Sequence, residues 1–147
     1  MLSIEYVSLQ IIKINFIVVT ETLSDGRSIL YVVNPNEMSY ENAVTYCSNN
    51  EGRLPIPMTQ EENDFLYGLG GTWLGFSMDN HNNLTYTNWR AGEPNGPPDA
   101  KPQLLAVTKW DIAWNGLWND ALVNEWAPAV CYLSTSGTIF FTINFLQ

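Results

Sequence analysis

Two short runs of oxygen-bearing side chains are where this sequence could do chemistry. Glu93-Pro94-Asn95 sets a carboxylate and an amide oxygen on either side of a proline. If the Glu93–Pro94 bond is cis, the turn is tight and both oxygens can point to one side. Asn119-Asp120, after Gly116-Leu117-Trp118, is a second amide–carboxylate pair. Such oxygens suit a hard cation, which takes several oxygen ligands. Taken alone, each run also has the composition of an ordinary surface turn, and Trp118 reads as core.

Other chemistries find little footing. There are two cysteines, Cys47 and Cys131, and one histidine, His81, too few for a four-ligand zinc site. The cysteines are either two buried thiols or one disulfide, and spacing alone does not choose. A bridge would close a span of 84 positions, worth about 4–5 kcal/mol in the chain-entropy model. No Ser-His-Asp or Cys-His arrangement, phosphate loop or zinc motif is present, so an enzyme is not expected. Glu61 and Glu62 are adjacent carboxylates, but helix neighbours point apart, and they read as a solvated face.

The net charge of −9, with six Lys plus Arg, excludes a nucleic acid or an anionic membrane as the expected partner, since both need a basic patch. The 147 residues suit one domain, and 46% apolar content allows a real core. Residues 1–19 are apolar but interrupted by Glu5 and Lys13, a poor signal peptide and a poor membrane span. The apolar run 139–146 is too short to cross a bilayer. Asn83-Leu84-Thr85 is a glycosylation sequon, relevant in a secreted chain.

The elements that must position these residues follow from patterning. Residues 14–20 and 28–33 are rich in β-branched types and flank Asp25-Gly26, which predicts two antiparallel strands and a turn. Pro35 and Asn36 are expected to end the second strand. Ser39 can cap a helix whose apolar positions are Tyr40, Ala43, Val44 and Cys47, ending near Asn50-Glu51-Gly52. Thr59 and Glu62 form a capping box for a second helix, with Phe65, Leu66 and Leu69 on its apolar face and Gly70-Gly71 as its stop. Short strands are expected at 72–76, 84–89, 104–108, after 116–119, and at 129–133, with a proline-rich loop over 92–102. The order is that of an α+β fold whose unusual residues sit in loops.

The strings Trp73-Leu74-Gly75-Phe76, Leu84-Thr85-Tyr86-Thr87-Asn88-Trp89, Gly92-Glu93-Pro94-Asn95 and Gly116-Leu117-Trp118-Asn119-Asp120 resemble the C-type lectin family. So do Ser39-Tyr40-Glu41-Asn42-Ala43 with Cys47, Gly52-Arg53-Leu54, and Ala129-Val130-Cys131. The likeness covers roughly residues 29–133. It implies the C-type lectin-like fold, two helices and small antiparallel sheets with a long irregular loop region. It also implies a Cys47–Cys131 disulfide between first helix and last strand. Glu93, Asn95, Asn119 and Asp120 match four side-chain ligands of the family's main Ca2+ site, where the metal also binds two neighbouring sugar hydroxyls. Each ligand there also hydrogen-bonds a hydroxyl, and Glu-Pro-Asn accompanies mannose-like sugars. Trp110 and Trp114 precede Trp118 in a long loop. Either could stack on a sugar face, although packing is the favoured expectation for both, and Trp114 is the candidate for the sugar contact.

Two departures stand out. The family's second disulfide falls on Leu104 and Val123, where an apolar contact is expected instead, so that calcium would do more of the loop's ordering. The fifth ligand, a glutamate in the family, falls on Pro102 or Lys101, leaving Asp99, or else Gln103, to substitute. The auxiliary calcium site has little support, with Gly96 after the motif and Asp79 as a stray candidate.

The expectation is therefore a domain over 28–134, with a strand or extension at 1–27 and a tail at 135–147. It binds glycans with mannose-like ends through Ca2+, is extracellular, and gains avidity if clustered into oligomers. The competing expectation is a module of the same fold that binds a protein or other non-sugar ligand without calcium.

Overall fold

The computed structural model describes residues 3–5, 17–77, 83–96, 103–108, 115–122 and 124–133, of which 3–5, 77 and 103–108 in backbone course only. Among these, strands β1 (Ser3–Glu5), β2 (Ile17–Thr22) and β3 (Ser28–Met38) precede helix α1 (Tyr40–Asn49). The short β4 (Gly52–Arg53) and helix α2 (Gln60–Gly68) follow. Strands β5 (Gly71–Ser77), β6 (Gln103–Thr108), β7 (Trp118–Leu122) and β8 (Ala127–Leu133) complete the chain. They form a five-stranded sheet in the order β1-β2-β3-β8-β4 and a three-stranded sheet in the order β5-β6-β7. The pairings within each sheet are antiparallel. The α+β class expected from the sequence is the class observed.

The hairpin forms as its turn residues dictate. Gly26 takes a φ of +88°, a conformation glycine enters without steric cost, and the Leu23 and Arg27 backbones close the turn. Strand β3 does not stop at Pro35 and Asn36. It continues to Met38 through an irregularity between Asn34 and Met38, a break in the ladder of the kind that lets a sheet carry a proline.

Ser39 caps α1, accepting from the Asn42 N–H at 3.4 Å. Ala43 and Cys47 are fully buried, but Val44 is 43% exposed, so the buried stripe is narrower than the pattern predicts. Thr59 caps α2, accepting from the Glu62 N–H at 3.2 Å. The return half of the box goes one residue further, with the Glu62 carboxylate accepting from the Met58 N–H at 2.7 Å. Glu62 is buried and also takes Arg27 at 3.1 Å, so it is not the solvated residue expected. Glu61 is exposed, as expected, and accepts from Ser24.

Cys47 and Cys131 are joined, Cα to Cα 5.1 Å, tying α1 to β8. Their cluster includes Val32, Leu54, Trp73 and Ala129. A second cluster, on Tyr31, Leu66 and Val130, fills the space under α2. Thr72 links the two sheets: its hydroxyl accepts from the Val130 N–H at 2.8 Å and donates to the Trp73 carbonyl at 2.9 Å. Gly75 allows β5 to press on the 54–56 segment, since a Cβ there would lie 2.5 Å from the Leu54 carbonyl oxygen. No helix among the described residues is long and apolar enough to cross a membrane.

Candidate functional site

The two oxygen-rich runs meet at β7, an edge strand of the three-stranded sheet. Asn119 and Asp120 lie in β7, and 93–96 is a turn that folds over them. Residues 84–88 do not form the expected strand. They run to a single parallel bridge between Trp89 and Trp118, with the Trp118 N–H donating to the Asn88 carbonyl at 2.7 Å and the Arg90 N–H to the Trp118 carbonyl at 3.0 Å. Those two bonds hold the turn against β7.

Trp118 is the anchor beneath. It is wholly buried, as a core residue should be, and meets the rings of Phe76, Tyr86 and Trp89 at 5.5–5.7 Å. Its indole N–H donates 2.6 Å to Oδ1 of Asn63, and Asn63 Nδ2 donates 3.0 Å to the Gly116 carbonyl. Asn88 Nδ2 donates to the same carbonyl at 3.0 Å. Sequence reasoning missed Asn63 and Asn88 as positioning residues. Asn63 carried a signal: it is a polar residue one turn before Leu66, on the buried side of α2.

The Glu93–Pro94 bond is cis. The Glu93 carboxylate accepts from the Asn95 backbone N–H at 3.1 Å and from Asn95 Nδ2 at 2.8 Å. The Asp120 carboxylate accepts from the same Asn95 N–H at 3.2 Å and from the Gly96 N–H at 2.8 Å. Asn119 points its Nδ2 to the Asp120 carbonyl at 2.8 Å. Three of the four matched side chains thus share one network, and Asn119 stands beside it. Glu93, Asn119 and Asp120 are half-buried and Asn95 is exposed. Partial burial, and then the neighbouring Asp120 carboxylate, push Glu93 above the ordinary carboxylate value; the Asn95 N–H and Arg90 pull it down.

The donor chemistry of this set fits a hard cation, with two carboxylates and two amide side chains. No group of three or more His, Cys, Asp or Glu side chains able to hold a metal occurs among the described residues. Asp99, Trp114, Trp110, Lys101, Pro102, Val123, Asp79 and His81 lie outside the described residues. Of Gln103 and Leu104 the backbone is described: they pair with Leu122 and Ala121. Asn83, the sequon asparagine, is exposed.

Residues 36–133 match the family model of the lectin C-type domain. The C-type carbohydrate-recognition domain of cow CD23, solved in the presence of a GlcNAc2Man3 oligosaccharide, is similar with 29% identity and a TM-score of 0.58, over 73% of this chain and 89% of that one. The carbohydrate-recognition domain of the mouse scavenger receptor C-type lectin gives 18% identity and a TM-score of 0.61, over 77% and 93%. A calcium-independent type II antifreeze protein gives 18% and 0.57, over 72% and 86%. The fold is shared between sugar-recognition domains and an antifreeze protein. The chain belongs to the C-type lectin domain family.

Proposed function

We propose that the surface formed by Glu93, Asn95, Asn119 and Asp120 is where this module binds its ligand, and that the surface holds its shape without a metal ion. The observation carrying this reading is that all four carboxylate oxygens of Glu93 and Asp120 accept a hydrogen bond from an N–H of the same turn. With an N–H already on each oxygen, the turn has internal partners that hold its form. The ligand on this reading is a protein or another non-sugar molecule, recognised by carboxylates that accept and amides that both donate and accept. The antifreeze relative, calcium-independent by description, supports it.

The second reading is calcium-dependent recognition of mannose-like sugars, favoured by the convergence of Glu93, Asn95 and Asp120 on one surface. Calcium, when bound, supplies a positive centre for two neighbouring hydroxyls. Glu93, Asn95, Asn119 and Asp120 would hold it, with Asp99 as the substitute fifth ligand and Trp114 against the sugar face. The chain's own part is to present acceptors and amide donors to the same hydroxyls.

A calorimetric calcium titration separates the two. The first reading expects no heat of binding at millimolar metal. Binding there, together with glycan-array signals abolished by a chelator, sinks it in favour of the second. On the second reading Asn95→Asp alters sugar preference while keeping the metal, and unchanged mannose binding in that variant would put the site elsewhere.

An extracellular setting accords with the Cys47–Cys131 bridge, and exposed Asn83 is the proposed glycosylation site. The domain is taken as 28–134, although β2, within the 1–27 extension, pairs with β3 in the main sheet.

A further inference from the structure

A cavity of about 70 Å3 opens between β4, the 54–58 segment and α2, sharing no residue with the surface described above. Its floor is buried, with Tyr31 of β3 and Leu66 of α2. Its charged lining is Arg27, Glu62 and Arg53. The first two cancel: Arg27 binds Glu62 at 3.1 Å and also Asp25 at 2.7 Å, and the other Glu62 oxygen takes the Met58 N–H. Arg53 is different. Its guanidinium lies 5.2 Å over the Tyr132 ring and makes no ion pair among the described residues, in a chain with fifteen acidic side chains against six basic ones. Stacking on a ring leaves the N–H edge of a guanidinium pointing outward, in the fork that matches a carboxylate.

At the mouth stand Ile56 and Met58, 43% and 59% exposed. A small interior beside Arg53, with apolar side chains outside, suits a small anionic head with a short apolar body lying over the rim. We propose that this cavity is a second binding site, for a monocarboxylate with an apolar body, and that Arg53 is its anion-binding residue. A carboxylate there completes the guanidinium that has no acid partner among the described residues, while its chain covers Ile56 and Met58.

Hexanoate is the probe, followed by NMR on the Met58 methyl and Tyr132 ring of the whole chain, with EGTA present so that calcium plays no part. Saturable shifts are expected at both residues. Hexanamide, with the body and no charge, and acetate, with the head and no body, should each bind about tenfold more weakly or less. Arg53→Gln should weaken hexanoate about tenfold with an unchanged thermal midpoint. Met58→Ser should weaken hexanoate and leave acetate as it was. Hexanamide binding as tightly as hexanoate overturns the proposal, as does undiminished hexanoate binding by Arg53→Gln, or no shift at either residue with hexanoate at tens of millimolar.

Discussion

The disulfide-bearing half of the molecule and the 93–96/118–120 surface are held by different physics. Around Cys47 and Cys131 the side chains are apolar and nearly sealed from water, with Ala43, Trp73, Ala127 and Ala129 wholly buried. Stability there comes from apolar area removed from water and a covalent tie. At the surface the groups in contact are oxygens and N–H donors, exposed or half-exposed, satisfying one another between the 93–96 turn and Asp120 of β7. Such bonds, already available from water, contribute little net stability. The scaffold therefore sets whether the chain folds, and on the proposed reading the turn sets what it binds.

The largest break in that contrast should come from the covalent tie. Replacing both cysteines by alanine frees a loop of 84 positions in the unfolded chain, and denaturant unfolding should show a loss of about 4–5 kcal/mol. A loss near zero would mean that burial alone holds α1 on β8.

Asn63 ties helix α2 to Gly116 and Trp118 beneath the surface, and its removal tests whether core and surface are separable. In Asn63→Leu the buried Trp118 indole N–H loses its acceptor, and the Gly116 carbonyl keeps only Asn88. We expect a loss of about 2–4 kcal/mol and shifted NMR signals for the Asn119 and Asp120 amides. A destabilised variant with unshifted signals would show that Asn63 serves the core and not the surface.

These residues also mark where the sequence could be read and where it could not. Ser39, Thr59, Gly26 and the glycines after α2 act through their neighbours along the chain, so the helices and the hairpin were legible within a few residues. The cysteine bridge and the meeting of the Glu93 and Asp120 runs came from family likeness, since composition left both open. What stayed hidden was long-range. Glu62 is buried because Arg27 and the Met58 N–H reach it from other elements. Residues 84–88 alternate like a strand yet find a partner only at Trp89. The 34–38 irregularity lets β3 continue past Pro35, which no local pattern announces.

A smaller effect separates scaffold from surface by pH. Glu21 is buried on β2, within reach of the Tyr31 hydroxyl at 3.5 Å. Burial first, then the Glu61 and Glu62 carboxylates, push it from 4.5 up to about 7, against the pull of the Tyr31 hydrogen bond. Below pH 4.5 the side chain is protonated in both folded and unfolded chains and costs nothing. Between 4.5 and about 7 the unfolded chain ionises first, so stability falls as pH rises, and above about 7 the loss is complete. Allowing for screening by water, the fall should be about 1–2 kcal/mol. Glu21→Gln should flatten that part of the pH–stability curve, and an unchanged slope would assign it to other carboxylates.

The smallest stability effect should fall on Asp120, in the proposed binding surface. Asp120→Ala removes the acceptor of the Gly96 N–H and one of the two acceptors of the Asn95 N–H, which keeps Glu93. Those N–H groups lie in an exposed or half-exposed turn, where water replaces the lost acceptor, so the cost should stay under about 1 kcal/mol. Glu93 also loses the neighbouring charge that helps to raise it, which offsets part of that cost. Binding should respond in the opposite proportion, because one of the two carboxylates of the surface is gone whichever ligand it serves. A variant that unfolds like the parent but no longer binds would place stability and recognition in separate parts of the chain. A variant that loses several kcal/mol would show instead that the turn belongs to the scaffold, and that its hydrogen bonds are shielded from water more than their exposure implies.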